Sequence, residues 1–310
     1  MVDTALIARA AQLIRSGRVV AFPTETVYGL GANALDPVAV SLIYEIKQRP
    51  RSSPLIVHVS SVNMARDLAA VWPEEAEILT HHLWPGPLTL VLPKNDKIPL
   101  ELTAGLTSVG LRMPDHPIAL ALIDAAQVPI AAPSANRFMQ LSPTTAEHVR
   151  AGLGASVEMI LDGGPTAVGI ESTVLSLVDR VPVLLRPGMV RRDQIEALIG
   201  RVALAENVDG AHASPGLHLK HYSPKTPLLL IAGAHELPRE GHGVYLYLTV
   251  AAHSAQSWPM PHQADRYAAA LYETLHRCDA LGKDWIAVEQ PGADSAWAGV
   301  LDRLERASVR

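Results

Sequence analysis

The chain has 310 residues, 48% of them hydrophobic and 18% charged, which is typical of a globular protein of two domains and excludes a disordered chain. Its 26 lysines and arginines are outnumbered by 31 aspartates and glutamates, so the formal net charge of -5 predicts no overall attraction to nucleic acid. Cys278 is the only cysteine and no apolar run approaches the roughly 18 residues of a membrane span, which excludes an internal disulfide and predicts a soluble, cytoplasmic protein.

The first predicted elements are a helix, a strand and a second helix. Apolar residues at helical spacing, with Gly17 just past the end, predict a helix over residues 4–16. Residues 18–22 are rich in β-branched residues and predict a buried strand, which Pro23 ends. Asp36 and Pro37 then form the cap and the first turn of a helix that Pro50 prevents from continuing.

The rest of the chain alternates further strands and helices. Strands are predicted at 55–59, 88–92, 108–112, 128–132, 159–161, 173–177 and 183–185, and helices near 74–82, 117–126, 144–151 and 193–199. Turn formers then dominate, and beyond them come strands at 228–231, 244–248 and 285–288 with helices at 264–281 and 296–307. These patterns predict a mixed α/β fold with a domain over 1–205, a linker over 206–227 and a small βαβ-like domain over 228–310.

A cluster of cations follows the second helix, in the segment EIKQRPR at 45–51. Pro50 disfavours helical geometry at residue 49, and if residues 47–51 are extended, Lys47, Arg49 and Arg51 share one face. Three cations on one face suit a polyphosphate, because arginine offers paired donors and lysine a point charge. A solvated run of charges remains the alternative.

Two strand ends carry polar residues that suit a ligand. Ser134 and Asn136 follow the strand at 128–132, at the carboxyl end where α/β proteins bind ligands, although a turn that bonds its own backbone is an equal alternative. Arg112 ends the strand at 108–112 and can clamp a carboxylate, or form an ordinary surface ion pair.

Several common catalytic motifs are absent. The segment GLGANA at 29–34 fits a dinucleotide fingerprint only loosely, since its glycines lie several residues past the strand and no acid ends the next one. The chain has no P-loop, no H-E-x-x-H and no recognisable Ser-His-Asp arrangement. Its histidines are interpreted as ordinary polar residues, and catalysis by positioning and charge neutralisation is favoured.

Eight short motifs together identify a family. They are PTETVYGLG at 23–31, KQR at 47–49, PLIVH at 54–58, WPGPLT at 84–89, GLRMP at 110–114, SAN at 134–136, ESTV at 171–174 and LRPG at 185–188. In this order they resemble the YrdC-type threonylcarbamoyl-AMP synthases, and SPGLHLKHYSP at 214–224 is similar to the linker of the long, two-domain form. The resemblance implies a twisted mixed-sheet YrdC-like domain followed by a smaller Rossmann-like domain.

The resemblance also implies the residues that bind each substrate. ATP is expected on Lys47, Arg49, Ser53, Ser108, Ser134, Asn136, Ser142 and Arg186, with Tyr222 closing over it from the linker. Threonine is expected on Thr26, His58, Arg112, the main chain of Ala132, and Ser172. Lys47 and Arg49 are expected to stabilise charge during the reaction, and no protein side chain is assigned to a metal.

The reaction implied is the synthesis of L-threonylcarbamoyl-AMP from L-threonine, bicarbonate or carbon dioxide, and ATP, with release of pyrophosphate and with Mg²⁺ on the phosphates. The enzyme would be a nucleotidyltransferase whose product passes to a tRNA threonylcarbamoyl transferase complex, which modifies tRNA next to the anticodon. Two alternatives remain: a carbamoyltransferase of the same fold, which the single cysteine disfavours, and a non-catalytic RNA-binding module, which the net charge disfavours. Contact with a membrane is not expected, and direct binding of tRNA is expected to be weak or absent.

Overall fold

The computed structural model describes residues 3–205 and 222–308. Its helices are α1 (Thr4–Arg15), α2 (Pro37–Lys47), α3 (Val62–Arg66), α4 (Glu74–Leu83), α5 (Leu100–Thr103), α6 (Pro117–Ala126), α7 (Ala146–Leu153), α8 (Arg192–Ile199), α9 (Ala264–Ala280) and α10 (Ala298–Ser308). Its strands are β1 (Val20–Phe22), β2 (Gly29–Asn33), β3 (Ile56–His58), β4 (Leu88–Pro93), β5 (Ser108–Arg112), β6 (Ile130–Ala131), β7 (Met159–Ile160), β8 (Thr173–Ser176), β9 (Val183–Arg186), β10 (Ala203–Leu204), β11 (Leu228–Ile231), β12 (Gly243–Tyr247), β13 (Gln256–Pro259) and β14 (Trp285–Glu289). None of these helices combines the length and the apolar composition that a membrane crossing requires.

The strands form two sheets. The larger sheet has the order β10-β9-β8-β4-β5-β3-β6-β2-β1-β7 and mixes parallel pairs, such as β3 with β5, and antiparallel pairs, such as β4 with β5. The smaller sheet has the order β11-β14-β12-β13 and is parallel throughout. A mixed sheet followed by a small parallel sheet confirms the fold class that the sequence predicts.

The larger sheet is covered on both faces near β1, because successive side chains of a strand point to opposite faces. Val20 and Phe22 belong to the core that α1 and α6 form on one face, whereas Ala21 belongs to the core that includes Val40 and Ile43 of α2 on the other face. The helices begin where the sequence provides caps. The Asp3 side chain accepts from two main-chain N–H groups at the start of α1, and the Asp36 side chain does the same for α2, before a proline in the first turn.

The smaller sheet packs against the first part of the chain. Val27, Leu141 and Ile170 join the same apolar cluster as side chains of α9 and α10. Of the predicted linker, residues 206–221 lie outside the described residues, and the described part begins at Tyr222, whose side chain is buried in this cluster. The two sheets therefore share an apolar contact that also includes the end of the linker.

Three strands were not predicted, namely β2, the two-residue strand β10, and β13. Gly31 of β2 must be glycine, because a Cβ there would lie 2.6 Å from Cε1 of Phe22 and 2.8 Å from Cγ2 of Ile130, and the two glycines of this strand had concealed its pattern. The strand β13 lies at the edge of the small sheet, pairs only with β12, and contains Ser257 and Pro259 in place of a run of β-branched residues.

The prediction of an extended segment over 47–51 is wrong. Lys47 is the last residue of α2, and Gln48 adopts left-handed geometry at the helix end with φ of 54°. Lys47 and Arg49 are buried, whereas the side chain of Arg51 is 64% exposed and lies 3.9 Å from Glu45. Arg51 therefore does not share a face with the other two cations, because the helix continues to Lys47 and then reverses.

Candidate active site

A partly open cavity lies where several strands of the larger sheet end and where the smaller sheet packs against it. Its volume is about 550 Å³ including the open solvent at its mouth. It is lined by Thr24, Thr26, Val27, Gly29, Arg49, Ile56, His58, Arg112, Ala132, Pro133, Ser134, Glu171, Ser172, Arg186 and Tyr222.

Two buried arginines, Arg49 and Arg186, form a cationic wall of this cavity. Arg49 donates to Ser53 Oγ at 2.7 Å and to the main-chain oxygen of Pro54 at 3.2 Å. Arg186 donates through Nη2 to the main-chain oxygen of Ser172 at 2.9 Å, and its Nη1 lies 3.4 Å from the Tyr222 hydroxyl. Burial lowers the pKa of Arg49 to about 10, so its guanidinium group is still charged at neutral pH. Such a wall suits the phosphates of a nucleotide.

Lys47 holds the turn that follows β6. Its Nζ donates to the main-chain oxygens of Ser134 and Asn136, each at 2.5 Å, and to Oδ1 of Asn136 at 3.2 Å. Its own main-chain oxygen accepts from Phe138 N at 2.8 Å. Burial and then the charge of Arg49 lower the pKa of Lys47 well below its ordinary value. Ser134 lines the cavity but Lys47 does not, so the lysine supports the turn from behind.

A second cationic group, Arg112, lies at the carboxyl end of β5. Its Nη2 donates to Thr26 Oγ1 at 2.9 Å and forms an ion pair with Oε2 of Glu25 at 2.7 Å. Both members of the pair are buried, and no N–H or O–H of residues 3–205 and 222–308 is aligned as a hydrogen-bond donor to the Glu25 carboxylate. Within the same residues Arg112 Nε has no hydrogen-bond partner, which leaves one face of the guanidinium able to bind a carboxylate.

His58 lies beside Arg112 at the end of β3 and is buried. Burial and then the positive charge of Arg112 lower the pKa of His58 to about 3, so the imidazole is neutral at neutral pH. No described residue is a hydrogen-bond partner of its Nδ1. His58 is therefore suited to binding a polar ligand group and is too weak a base to remove a proton near pH 7.

Glu171 is the one acidic side chain among the residues that line the cavity. Its carboxylate accepts from Ser142 Oγ at 2.5 Å, from Tyr272 OH at 3.1 Å and from Arg303 Nε at 2.7 Å. Burial raises the pKa of Glu171, but the charges of Arg303 and Arg186 and the bond from Ser142 outweigh it, so the pKa lies below its ordinary value. Glu171 is therefore an ionised group in the wall.

The structure brings most of the predicted site residues into one cavity. Nine of them line it, namely Thr26, Arg49, His58, Arg112, Ala132, Ser134, Ser172, Arg186 and Tyr222. Four others bond residues that do, since Lys47 donates to the main-chain oxygen of Ser134, Ser53 accepts from Arg49, Asn136 accepts from Ser134 Oγ, and Ser142 donates to Glu171. Ser108 lies at the opposite end of β5 from Arg112, and it does not line the cavity.

Sequence reasoning missed some of the lining and the polar groups behind it. Glu25 and Glu171 stand inside the motifs PTETVYGLG and ESTV, so their positions were visible, but nothing in the sequence shows that they pair with Arg112 and Arg303. Thr24 was also missed, although its hydroxyl lies 2.8 Å from that of Thr26.

Protein carboxylates do not form a metal site in the described part of the chain, where no group of three or more His, Cys, Asp or Glu side chains is placed to hold an ion. The acid in the cavity wall, Glu171, is already engaged by three side chains. The hydroxyls of Thr26 and Ser134 remain as neutral oxygens at the wall. This donor set fits a Mg²⁺ ion that arrives with the phosphates of a nucleotide better than one held by the protein.

Two family profiles match the chain in succession. Residues 12–188 match the Sua5/YciO/YrdC profile, which is described as "Telomere recombination". Residues 190–309 match the profile "Threonylcarbamoyl-AMP synthase, C-terminal domain".

Similar proteins cover almost the whole chain. A threonylcarbamoyl-AMP synthase of Bacillus subtilis is 43% identical over 97% of this chain and 92% of its own length. Another from Pyrococcus abyssi is 42% identical over 96% of this chain and 93% of its own length. A crystal structure of P. abyssi Sua5 complexed with L-threonine superimposes with a TM-score of 0.93 at 40% identity, covering 99% of this chain and 95% of that one.

Proposed function

This chain belongs to the Sua5/YciO/YrdC family, in its long form with the threonylcarbamoyl-AMP synthase C-terminal domain, and from that membership we propose that it synthesises L-threonylcarbamoyl-AMP. The substrates are L-threonine, bicarbonate or carbon dioxide, and ATP, and pyrophosphate is the second product. In this role the chain is a nucleotidyltransferase, and its product supplies the threonylcarbamoyl group for the modification of tRNA.

The observation that carries this proposal is that one cavity contains two separate cationic groups. Arg49 and Arg186 form one wall, and Arg112 with Thr26 and His58 forms another. A triphosphate and an amino acid carboxylate each need such a group, and a reaction between the two substrates needs both groups to face one space.

Threonine binds at the Arg112 wall in this proposal. The free Nε face of Arg112 receives the carboxylate, while Thr26, Ser172 and the main chain of Ala132 border the same region. His58 offers a neutral imidazole to the hydroxyl or the amine, because its pKa of about 3 keeps it uncharged. The match between these groups and threonine is supported by the solved relative that was complexed with L-threonine.

ATP binds along the Arg49 and Arg186 wall, with Ser134 at the turn and Tyr222 covering the cavity. Lys47, Ser53, Asn136 and Ser142 support these contacts from behind, whereas Ser108 lies at the other end of β5 from Arg112 and outside the lining of the cavity. A Mg²⁺ ion bound with the nucleotide would supply neutralisation of the phosphate charge, which would lower the barrier to attack at phosphorus.

The reaction proceeds in two bond-forming steps. The neutral amine of threonine forms an N–C bond with carbon dioxide and loses a proton to solvent, which yields a carbamate. A carbamate oxygen then forms a bond to the α-phosphorus of ATP while the bond from that phosphorus to the pyrophosphate oxygen breaks. The chain holds both substrates in line and places Arg49 and Arg186 against the negative charge that builds up, so no side-chain nucleophile is required.

The test is a reaction with ATP, threonine and isotope-labelled bicarbonate, followed by mass spectrometry for the mixed anhydride and by measurement of pyrophosphate. We expect labelled threonylcarbamoyl-AMP and pyrophosphate release that requires both threonine and bicarbonate. Pyrophosphate release at the same rate without threonine contradicts the proposal. Salt-dependent retention of tRNA in the absence of ATP would instead support an RNA-binding module.

A further inference from the structure

The carboxylate of Glu171 is not a group that is expected in the wall of a site for a polyphosphate. It lies in a wall that also contains Arg49 and Arg186, and it is ionised. A negative charge in a buried wall repels the phosphates of a nucleotide strongly, because little water is present to screen it. The site therefore needs a compensating positive charge close to Glu171.

The larger part of that charge comes from the second domain, and Arg186 of the larger sheet supplies the rest. Arg303 of α10 donates through Nε to the Glu171 carboxylate at 2.7 Å and through Nη2 to the Glu171 main-chain oxygen at 3.2 Å. Tyr272 of α9 donates to the same carboxylate at 3.1 Å. The Arg303 side chain is fully buried, and its Nη1 also donates to the main-chain oxygen of Pro187 at 3.2 Å. Two of the three side chains that hold Glu171 thus lie in the C-terminal part of the chain.

The same arginine is connected to the rest of the nucleotide wall. Its guanidinium carbon lies 5.2 Å from the ring centre of Tyr222, which lines the cavity. The Tyr222 hydroxyl in turn lies 3.4 Å from Arg186 Nη1. Arg303 therefore supports the wall through Glu171 and through Tyr222, although it does not line the cavity itself.

We propose that Arg303 is a positioning residue by which the second domain neutralises Glu171 and so sets the affinity of the cavity for ATP. This inference rests on the proposed function, because it takes ATP to be the ligand of the cavity. When the second domain is docked, Glu171 is paired and the wall is cationic. When the domain moves away, Glu171 loses its counter-ion and the wall repels phosphate. Docking of the domain and binding of the nucleotide therefore favour one another.

The test measures the Kd for Mg²⁺-ATP by isothermal titration calorimetry on the full chain and on variants of this pair. R303M leaves the Glu171 charge unpaired, and we expect its Kd to rise by about tenfold or more. The double variant R303M/E171Q removes the charge as well, and its Kd should return to within about threefold of that of the wild type. A merely structural role for Arg303 predicts no such rescue, and it predicts that the Kd for threonine changes alongside that for ATP.

The control is R277M, which makes the same change on α9 of the same domain. Arg277 is exposed and its guanidinium carbon lies 4.9 Å from the ring centre of Trp258, so its variant should bind ATP as the wild type does. If R303M does not fold, R303K keeps the charge, and both R303K and R303K/E171Q should bind ATP within about threefold of the wild type. A tenfold loss in either arginine variant that E171Q does not restore overturns the proposal, provided that the wild type shows threonine-dependent and bicarbonate-dependent pyrophosphate release. Absence of that release in the wild type overturns the proposed function instead.

Discussion

Lys47 donates a hydrogen bond of 2.5 Å to the main-chain oxygen of Asn136, although 89 residues separate the two in the chain. This bond fastens the end of α2 to the turn that follows β6. It places Arg49, two residues beyond the helix, in the same cavity as Ser134. The cations after the second helix and the hydroxyl of the turn therefore face one space, as a bound triphosphate requires.

We expect Lys47→Met to weaken the turn more than it weakens the helix. The variant keeps the apolar stem but leaves the main-chain oxygens of Ser134 and Asn136 without their lysine donor, and each buried unpaired acceptor costs about 1–3 kcal/mol. Recovery of the cost of burying the ammonium offsets part of this loss. The expected result is a fall of about 1–3 kcal/mol in the free energy of unfolding, measured in urea, together with a large loss of pyrophosphate release. Wild-type activity in this variant would contradict the role of Lys47 in holding the turn.

Arg49 and Arg51 form a matched pair, because both follow α2 but only Arg49 lines the cavity. We expect Arg49→Met to raise the KM for ATP by about tenfold or more, since a buried charged hydrogen-bond donor is lost. Arg51→Met should change it by less than about twofold, because its exposed side chain makes only a 3.9 Å contact with Glu45. Steady-state release of pyrophosphate at saturating threonine measures both. Equal effects at the two positions would show that Arg49 does not bind the nucleotide.

Much of the fold could be predicted because its signals are local. The cap at Asp3 and the Asp36–Pro37 start lie next to the helices that they begin, and β5 was predicted with its observed bounds. The strand β2 could not be predicted, because its glycines are required by the approach of Phe22 and Ile130, which only the folded sheet shows. The sequence analysis missed that α2 continues to Lys47. Pro50 disfavours helical geometry only at Arg49, so Lys47 can remain helical.

The features of the candidate site also divide into those that the sequence predicts and those that only the folded structure shows. Arg112 was predicted from its place at the end of a strand, and the structure places it in the cavity. Two ion pairs could not be predicted, namely Arg112 with Glu25 and Glu171 with Arg303. In each pair 86 or more residues lie between the partners, and no local pattern relates them. Family motifs indicated which residues matter, and the tertiary structure shows which charges they compensate.

Substitution of Arg112 should weaken the binding of threonine much more than the binding of ATP. We expect Arg112→Lys to raise the KM for threonine by about tenfold or more, because lysine keeps the charge beside Glu25 but cannot form the paired hydrogen bonds of a guanidinium. The KM for ATP should change by less than about threefold, since Arg49 and Arg186 are unaltered. Both constants come from the pyrophosphate assay, with the second substrate saturating. A rise in the KM for ATP that matches the rise for threonine would count against a carboxylate role.

A pair of histidines lies across the contact between the two sheets. The rings of His148 in α7 and His276 in α9 stack with their centroids 3.8 Å apart, and His276 Nε2 lies 3.1 Å from the main-chain oxygen of Ser142. Burial and then the charge of His148 lower the pKa of His276 to about 4, and burial also lowers the pKa of His148. The bond to Ser142 and then the charge of Glu273 oppose the lowering of the His276 pKa, and the charge of Glu147 opposes the lowering of the His148 pKa, without overcoming it.

The lowered pKa of His276 predicts that acid weakens the fold. A histidine in the unfolded chain titrates near pH 6.5. Between that pH and about pH 4, His276 is therefore protonated in the unfolded chain and neutral in the folded protein. The contribution of His276 to the free energy of unfolding is fully present above about pH 6.5. It is lost as the pH falls, with a slope of at most about 1.4 kcal/mol per pH unit for one proton. Urea unfolding of the wild type and His276→Gln between about pH 7 and pH 5 should therefore give a shallower decline in the variant. His235→Gln, at a site where the side chain is 76% exposed, is the matched control and should retain the wild-type slope. If the free energy of unfolding declines in parallel in the wild type and His276→Gln, the protonation state of His276 does not differ between the folded and the unfolded chain. The stacked pair would then have no part in the response to acid.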